Sequence, residues 1–335
     1  MSIEDPNNSR RRIGGQHAAF DLQGHRGARG LWPENTLAGF EQALALGVST
    51  LELDCAVTRD GVVVISHDPL LNPDHTRDAQ GQFLKTPGPA LFSLTYEQLQ
   101  QYDVGRLRPG SDYAQRHPLQ QPVDGQRIPR LADLFVLVKR LGCDAVRFNI
   151  ETKIYPLRAD LTTSPEAFTR GLVADIVSAG LESRTTIQSF DWRTLRIAHA
   201  IAPEIVTVAL TDQQADDDTV QFGKSSPSPW LGGLNAHDFA PSVPRLVKAS
   251  GATVWSPNYL DLDADRIAEA HALSISVIPW TVNEPTLMNQ MIGMGVDGLI
   301  TDRPDLLRQV LASAGVDLPI GTAVPPGINI STKTA

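Results

Sequence analysis

A chain of 335 residues with 41% hydrophobic and 20% charged residues has the material for a large buried core, which excludes a disordered polymer. Its 29 Lys+Arg against 38 Asp+Glu give a net charge of -9, so broad attraction to nucleic acid or stable association with an anionic membrane is not expected. Two cysteines, Cys55 and Cys143, exclude a disulfide framework and a four-cysteine zinc site, and no run approaches the ~20 apolar residues of a membrane span.

Met1 to His17 is polar, and Arg10-Arg11-Arg12 is followed by no apolar stretch. Read as written, this predicts no export signal and a cytoplasmic protein; the alternative, if the start is trimmed, is a periplasmic or secreted one. From Phe20 onward, short β-branched runs alternate with helical stretches. Strands are predicted at Phe20–His25, Thr50–Val57, Val146–Thr152, Thr185–Phe190, Ile205–Leu210, Ala252–Ser256, Ile275–Trp280 and Gly298–Thr301. The helices are Glu34–Leu46, Leu131–Leu141, Pro165–Ala179, Trp192–Ile201, Val243–Ser250, Ala264–His271, Glu284–Met294 and Pro304–Ala314. Ser164-Pro165 offers a cap and a first-turn proline, and Gly47, Gly180, Gly251 and Gly295 each follow a helical run. Eight strand–helix alternations predict an α/β fold, a (β/α)8 TIM barrel over residues 20–315, with tails at 1–19 and 319–335.

Two segments depart from the alternation. Val62–Ser66 reads as an extra strand turned back by Arg59-Asp60-Gly61. After it, residues 69–129 are rich in Pro, Gly and Gln and hold one predicted helix, Thr95–Gln101. A structureless loop of that length is improbable in a compact domain, so it reads as a small inserted subdomain after strand 2. Thr211 to Pro241 reads as a loop above the fifth strand, with Asp216-Asp217-Asp218 as a solvated face.

Catalytic groups of a barrel come from the C-terminal ends of its strands. Glu52 and Asp54 are spaced i, i+2 on a strand, which puts both on one face; Glu151 and Lys153 repeat that spacing. Three carboxylates converging in a barrel mouth repel one another, and a divalent cation relieves this. All-oxygen ligation points to one Mg²⁺ or Ca²⁺ held by Glu52, Asp54 and Glu151. The bland alternative is ordinary ion pairing, but Leu51, Leu53 and Val57 make this strand look buried. His25 and His67 follow apolar strand segments and form a candidate acid/base pair, against the plainer reading of structural histidines. Arg26 and Lys153 would suit a phosphate, or would neutralise the carboxylates. Neither a nucleotide-binding glycine loop, nor a phosphate-binding Walker sequence, nor a Gly-x-Ser-x-Gly nucleophile elbow is present. Cys55 should face away from Asp54 as a core cysteine.

In order along the chain stand His25-Arg26-Gly27, Pro33-Glu34-Asn35-Thr36, Glu52-Leu53-Asp54, Asp60-Gly61, His67-Asp68-Pro69, Glu151-Thr152-Lys153, Trp280-Thr281-Val282-Asn283 and Asp297-Gly298-Leu299-Ile300-Thr301-Asp302. This set, spanning roughly residues 20 to 313, resembles the glycerophosphodiester phosphodiesterase family, whose members are (β/α)8 barrels. The resemblance implies a metal on Glu52, Asp54 and Glu151, acid/base work by His25 and His67, and phosphate binding by Arg26 and Lys153. It further implies an apolar wall from Trp280, pocket-lining roles for Gln188 and Phe190, and a role for Glu34 and Asn35 beside the site. The implied reaction is metal-dependent hydrolysis of a small-molecule glycerophosphodiester to sn-glycerol 3-phosphate and an alcohol. Two other readings share these residues: a phospholipase D-like barrel acting on lysophospholipid or sphingomyelin, and a non-catalytic glycerophosphodiester binder.

Overall fold

A computed structural model describes residues 19–322 and the backbone of 12–13 and 16–17. Its framework is a sheet of eight parallel strands: β1 (Asp21–Gly24), β2 (Thr50–Val57), β4 (Arg147–Thr152), β5 (Thr185–Ser189), β6 (Val206–Thr211), β7 (Val254–Pro257), β8 (Ser276–Val277) and β9 (Gly298–Thr301). A ninth strand of this sheet, β3 (Val63–Ile65), runs antiparallel against the end of β2. Neighbours follow chain order, and β9 pairs in parallel with β1. The ring closes through backbone bonds from Asp297 N to Val277 O (2.9 Å), Ile300 N to Pro279 O (3.0 Å) and Val282 N to Ile300 O (3.0 Å). The predicted barrel is therefore the observed architecture.

Period-2 patterning explains the two faces of the strands. All eight residues of β2 are buried, because helices cover its outer face and side chains fill the barrel inside. Leu51, Leu53, Cys55 and Val57 join the main core with Phe40, Phe148, Phe168 and Trp192, which leaves Glu52 and Asp54 for the interior. Cys55 thus faces away from Asp54, as its spacing predicts.

The outer helices are α1 (Leu37–Leu46), α4 (Leu131–Arg140), α5 (Pro165–Ala179), α6 (Trp192–Ile201), α7 (Val243–Ser250), α8 (Ala264–Ala272), α9 (Pro285–Met294) and α10 (Pro304–Ser313). In α4, the buried Leu131, Leu134, Phe135, Leu137 and Val138 recur at helical spacing, and Lys139 and Arg140 sit at its negative C-terminal end. Ser164 caps α5 by accepting from Ala167 N, and the four predicted capping glycines, Gly47, Gly180, Gly251 and Gly295, are all left-handed.

The first helix begins three residues later than the pattern suggests. Thr36 is its cap, accepting from Gly39 N, and Asn35 has φ 54°, outside the helical region. Glu34 and Asn35 therefore lie in the turn before α1. The predicted strand Ile275–Trp280 shortens to Ser276–Val277. Pro279 has no N–H, so regular pairing stops, although Ile278 N and Trp280 N still donate to Trp255 O and Pro257 O.

Residues 69–129 carry a 3-10 turn (Leu91–Ser93) and two short α-helices, α2 (Tyr96–Leu99) and α3 (Asp112–Arg116), of which α3 was not anticipated. Leu71, Leu91, Leu99, Val104 and Ile128 form a second apolar cluster with Ala56 and Val64 of the barrel. Backbone bonds from Gln121 N to Leu31 O (2.7 Å) and Ile65 N to Pro129 O (2.9 Å) fasten the segment beside the mouth. Of the predicted tails, residues 1–18 have no described side chains and 323–335 lie outside the described residues. Pro319 to Thr322 return to α1, where Thr322 N donates to Leu44 O (3.0 Å).

Candidate active site

Register brings the carboxylates together. Asp54 pairs with Glu151, and Glu151 with Gln188, across β2, β4 and β5, while Glu52 lies beside Asn149 one layer deeper. One oxygen each from Glu52, Asp54 and Glu151 lies within 4.8 Å of the others, and the three residues are 2%, 1% and 7% exposed. Such a set cannot ionise fully in a low-dielectric mouth without compensation. Burial, then the Asp54 charge, pushes Glu52 well above the usual carboxylate range. Burial raises Glu151 to about 7 despite Lys153 beside it. Asp54 stays low because Arg26, His67 and Lys153 outweigh its burial. This buried, all-oxygen donor set fits a hard divalent cation.

The turn after β1 aims its groups at this cluster. Arg26 N donates to Glu52 Oε2 (2.8 Å), and Arg26 Nη1 to Glu34 Oε1 (2.7 Å), with Arg26 Nε 3.2 Å from Asp54 Oδ2. Arg26 has φ 50°, and Gly27 follows at φ 90°. At Gly24 a Cβ would lie 2.1 Å from Gly27 O, so only glycine allows the turn to fold back this tightly. Asn35 Nδ2 donates to Asp54 Oδ2 (2.9 Å). Lys153 Nζ lies 2.8 Å from Glu151 Oε1 and 3.9 Å from Asp54 Oδ1. Against the downward pull of burial, Glu151 and Asp54 keep this ammonium charged.

Both histidines present the same arrangement. His25 Nδ1 lies 2.6 Å from Asp302 Oδ1, and His67 Nδ1 lies 2.7 Å from Asp68 Oδ1. A carboxylate on Nδ1 holds the proton there and leaves Nε2 as the lone-pair nitrogen. His25 Nε2 stands 3.9 Å from Glu52 Oε2. Burial, then Arg29, lowers His25 to about 4; burial, then Arg26 and Lys153, lowers His67 to about 4. Both rings are therefore neutral at pH 7 in the ligand-free protein.

One cavity of about 720 Å³ at the C-terminal ends of the strands joins His25, His67, Arg26, Lys153, Glu52 and Glu151 with Trp280 on its wall. A larger cavity of about 1010 Å³ opens at the opposite end of the barrel, where Asp21, Arg147 and Asp297 line it and none of the three clustered carboxylates does. Gln188 faces the first cavity, but both ends of its amide are engaged: Nε2 donates to Glu52 Oε1 (2.7 Å), and Oε1 accepts from Asn149 Nδ2 (2.9 Å). Its amide thus braces Glu52. Trp280 Nε1 donates to Ser256 O (3.0 Å), and its ring meets Phe190 edge-on at 5.5 Å.

Several participants had no predicted role. Asp302 and Asp68 stood in the quoted motifs, and a carboxylate at a strand end beside a histidine is the signal that points to them. Arg29 grips Asp302 through Nε (2.9 Å) and Nη2 (3.0 Å). Tyr113 reaches in from the insertion to donate to Glu34 Oε2, and nothing in its local sequence reveals that. Gln23 and Asn149 complete a polar layer below the carboxylates, with Asn149 Nδ2 2.9 Å from Gln23 Oε1.

A parallel eight-stranded barrel with buried carboxylates and paired histidines at its C-terminal mouth is an enzyme's site by construction. The glycerophosphoryl diester phosphodiesterase family model matches residues 25–306, so the chain belongs to that family and is a phosphoric diester hydrolase. A glycerophosphodiester phosphodiesterase from Caldanaerobacter subterraneus subsp. tengcongensis is 28% identical over 295 residues, 87% of this chain and 97% of that protein. A Silicibacter pomeroyi DSS-3 crystal structure, assigned as a glycerophosphoryl diester phosphodiesterase, superposes with TM-score 0.80 at 33% identity, covering 90% and 95% of the two chains. The fold also matches an Oleispira antarctica phosphodiesterase in complex with its product sn-glycerol-3-phosphate, at TM-score 0.64 and 20% identity over 88% and 97% of the chains. Among the described residues, no helix is long and apolar enough to cross a membrane.

Proposed function

We propose that this enzyme hydrolyses glycerophosphodiesters to sn-glycerol 3-phosphate and an alcohol, with His25 and His67 as its acid/base pair. The observation that carries this reading is the pair of carboxylate-backed histidines in one cavity with three clustered carboxylates. The product bound to the Oleispira protein supports the choice of substrate.

Glu52, Asp54 and Glu151 would hold one Mg²⁺ or Ca²⁺, which supplies positive charge to the phosphoryl oxygens when bound. Gln188 and Asn35 keep Glu52 and Asp54 in place through the bonds described above. Arg26 and Lys153 face the cavity as fixed cations and offset charge that builds on the phosphate. Glu34 holds the Arg26 guanidinium and so fixes its direction. One histidine takes a proton at Nε2 from the attacking hydroxyl as the new P–O bond forms. The other delivers a proton to the departing alcohol oxygen as the old P–O bond breaks, so protons balance over the cycle. With both pKa values lowered to about 4, the base is ready at neutral pH. The acid becomes protonated once an anionic diester lies beside it. Trp280 walls the pocket.

The test is glycerol 3-phosphate release by His25→Ala and His67→Ala, with folding checked by circular dichroism. Loss of either group should lower the rate by about 10²–10⁴. Near-native turnover by either folded variant removes that histidine from the mechanism.

A further inference from the structure

Below the carboxylates the barrel interior holds a chain of amides, and the direction of each amide is forced by its ends. At the upper end stands Glu52, which must be a carboxylate to hold a cation and then offers only acceptors. At the lower end, on the floor of the barrel, stands Asp21. Its Oδ1 lies 2.7 Å from Arg147 Nη2, and its Oδ2 accepts from Gln23 Nε2 (2.9 Å). Gln188 Nε2 donates to Glu52 Oε1 (2.7 Å). Each glutamine thus spends its NH₂ group on a carboxylate and turns its carbonyl oxygen toward the other glutamine.

Two carbonyl oxygens that face one another need donors between them. Gln23, Asn149 and Gln188 are all buried, so bulk water does not supply these donors, and leaving either oxygen unpaired would be costly. Asn149 Nδ2 supplies both bonds, at 2.9 Å to Gln23 Oε1 and 2.9 Å to Gln188 Oε1. Its own Oδ1 accepts from Thr186 Oγ1 (2.8 Å), which keeps the NH₂ group aimed at the glutamines. Register puts Asn149 in this place: it pairs with Glu52 of β2 on one side and Thr186 of β5 on the other. Among uncharged side chains, only an amide carries two N–H donors on one atom; a hydroxyl has one, and an ionised Asp has none.

We infer that Asn149 is a positioning residue for the metal ligand Glu52. It acts through Gln188, by holding that amide with its NH₂ group toward the carboxylate. Without Asn149 the Gln188 oxygen loses its partner, and an amide that turns over to find another sets an oxygen against Glu52. The inference rests on the reading that Glu52, Asp54 and Glu151 hold a divalent cation, and adds how one of the three is aimed. Gln23 serves the far end of the same NH₂ group and does not touch Gln188 or Glu52 in this chain of bonds.

The experiment is titration calorimetry of the full chain with Mg²⁺ and with Ca²⁺, using the tighter-binding ion, with thermal unfolding alongside. Asn149→Leu, neutral and of similar shape, should weaken binding at least tenfold, the scale of losing a group that orients a ligand. Gln188→Met should do the same. In the Gln188→Met background, with no amide left to aim, adding Asn149→Leu should cost no more than about twofold. Gln23→Met should lower the melting temperature yet leave metal affinity within about threefold of wild type. If Asn149→Leu does not fold, Asn149→Ser, which keeps one donor, takes its place in the same cycle. Wild-type affinity in a folded Asn149 variant, an equal loss in both backgrounds, or a loss in Gln23→Met as large as in Asn149→Leu would overturn the inference and leave the metal reading standing. Absence of binding of either ion to the wild type overturns the metal reading, and this inference with it.

Discussion

Replacing Asp302 by Asn tests whether the histidine dyad is functional. Four donor contacts converge on this carboxylate: His25 Nδ1 at 2.6 Å and Arg29 Nε at 2.9 Å on Oδ1, with Arg29 Nη2 at 3.0 Å and Asn283 Nδ2 at 2.8 Å on Oδ2. Arg29 and His25 hold Asp302 ionised against its burial. An amide has one accepting end. If it faces His25, its NH₂ meets Arg29 Nη2 and Asn283; if it is turned, its NH₂ meets His25 Nδ1 and forces the proton to Nε2, where the base is needed. Either way a charge-assisted bond is lost, worth roughly 1.5–3 kcal/mol in stability. The wrong tautomer abolishes base function, so kcat should fall by about 10²–10⁴ while KM stays within about threefold. Since the Asp302 charge raises the His25 pKa, the limb of the pH–rate profile that His25 controls should move to lower pH in Asp302→Asn. Steady-state glycerol 3-phosphate release across pH, with thermal unfolding alongside, measures both effects. A folded variant with wild-type kcat and an unmoved limb refutes the reasoning.

Other predictions concern the metal, the turn before α1 and the core. Glu52→Gln and Glu151→Gln should each weaken Mg²⁺ or Ca²⁺ binding at least tenfold by titration calorimetry, since each removes a charged oxygen ligand. Burial raises Glu151 to about 7, so metal binding should displace its proton below that pH. Affinity should therefore drop about tenfold per pH unit below 7 for each proton released, with the released proton visible in buffers of different ionisation heat. Glu34 is held at about 2 because Arg26, then His75 and Arg29, outweigh its burial. A depressed carboxylate stabilises the fold above its ordinary pKa and loses that contribution as pH falls toward about 2, a difference of ~3 kcal/mol. Glu34→Gln should accordingly lower the neutral-pH melting temperature, and the gap to wild type should narrow in acid. Phe148, fully buried and edge-on to Phe135 at 5.1 Å, should cost about 3–5 kcal/mol in denaturant unfolding when changed to Ala.

What the chain discloses about itself follows physical range. Period-2 spacing and an unbroken apolar background are local, so β2 could be bounded to the residue and Glu52 and Asp54 assigned to one face. Parallel register then did the rest, setting Asp54 against Glu151. The turn at Glu34 and Asn35 was misread as helix, because a good helix-forming Glu stands next to an Asn whose left-handed conformation is imposed by Asn35 N bonding back to Arg26 O. Gln188 was expected at the pocket from the family resemblance, and its local sequence does not reveal that Asn149 and Glu52 engage its amide. Tyr113 lies 79 residues from Glu34 in sequence, and no periodicity within the insertion predicts that meeting. Thus the metal-ligand candidates were legible from spacing, whereas the groups that orient them are contacts between distant segments.

A metal-bearing carboxylate cluster and two histidines should together cleave a glycerophosphodiester on the alcohol side of phosphorus. Phosphorus-31 NMR of the enzyme turning over glycerophosphocholine with added Mg²⁺ or Ca²⁺ tests it most directly. The diester resonance should convert to that of sn-glycerol 3-phosphate, and EDTA should stop the conversion. Phosphocholine as the phosphorylated product, or turnover at an undiminished rate in EDTA, would contradict it.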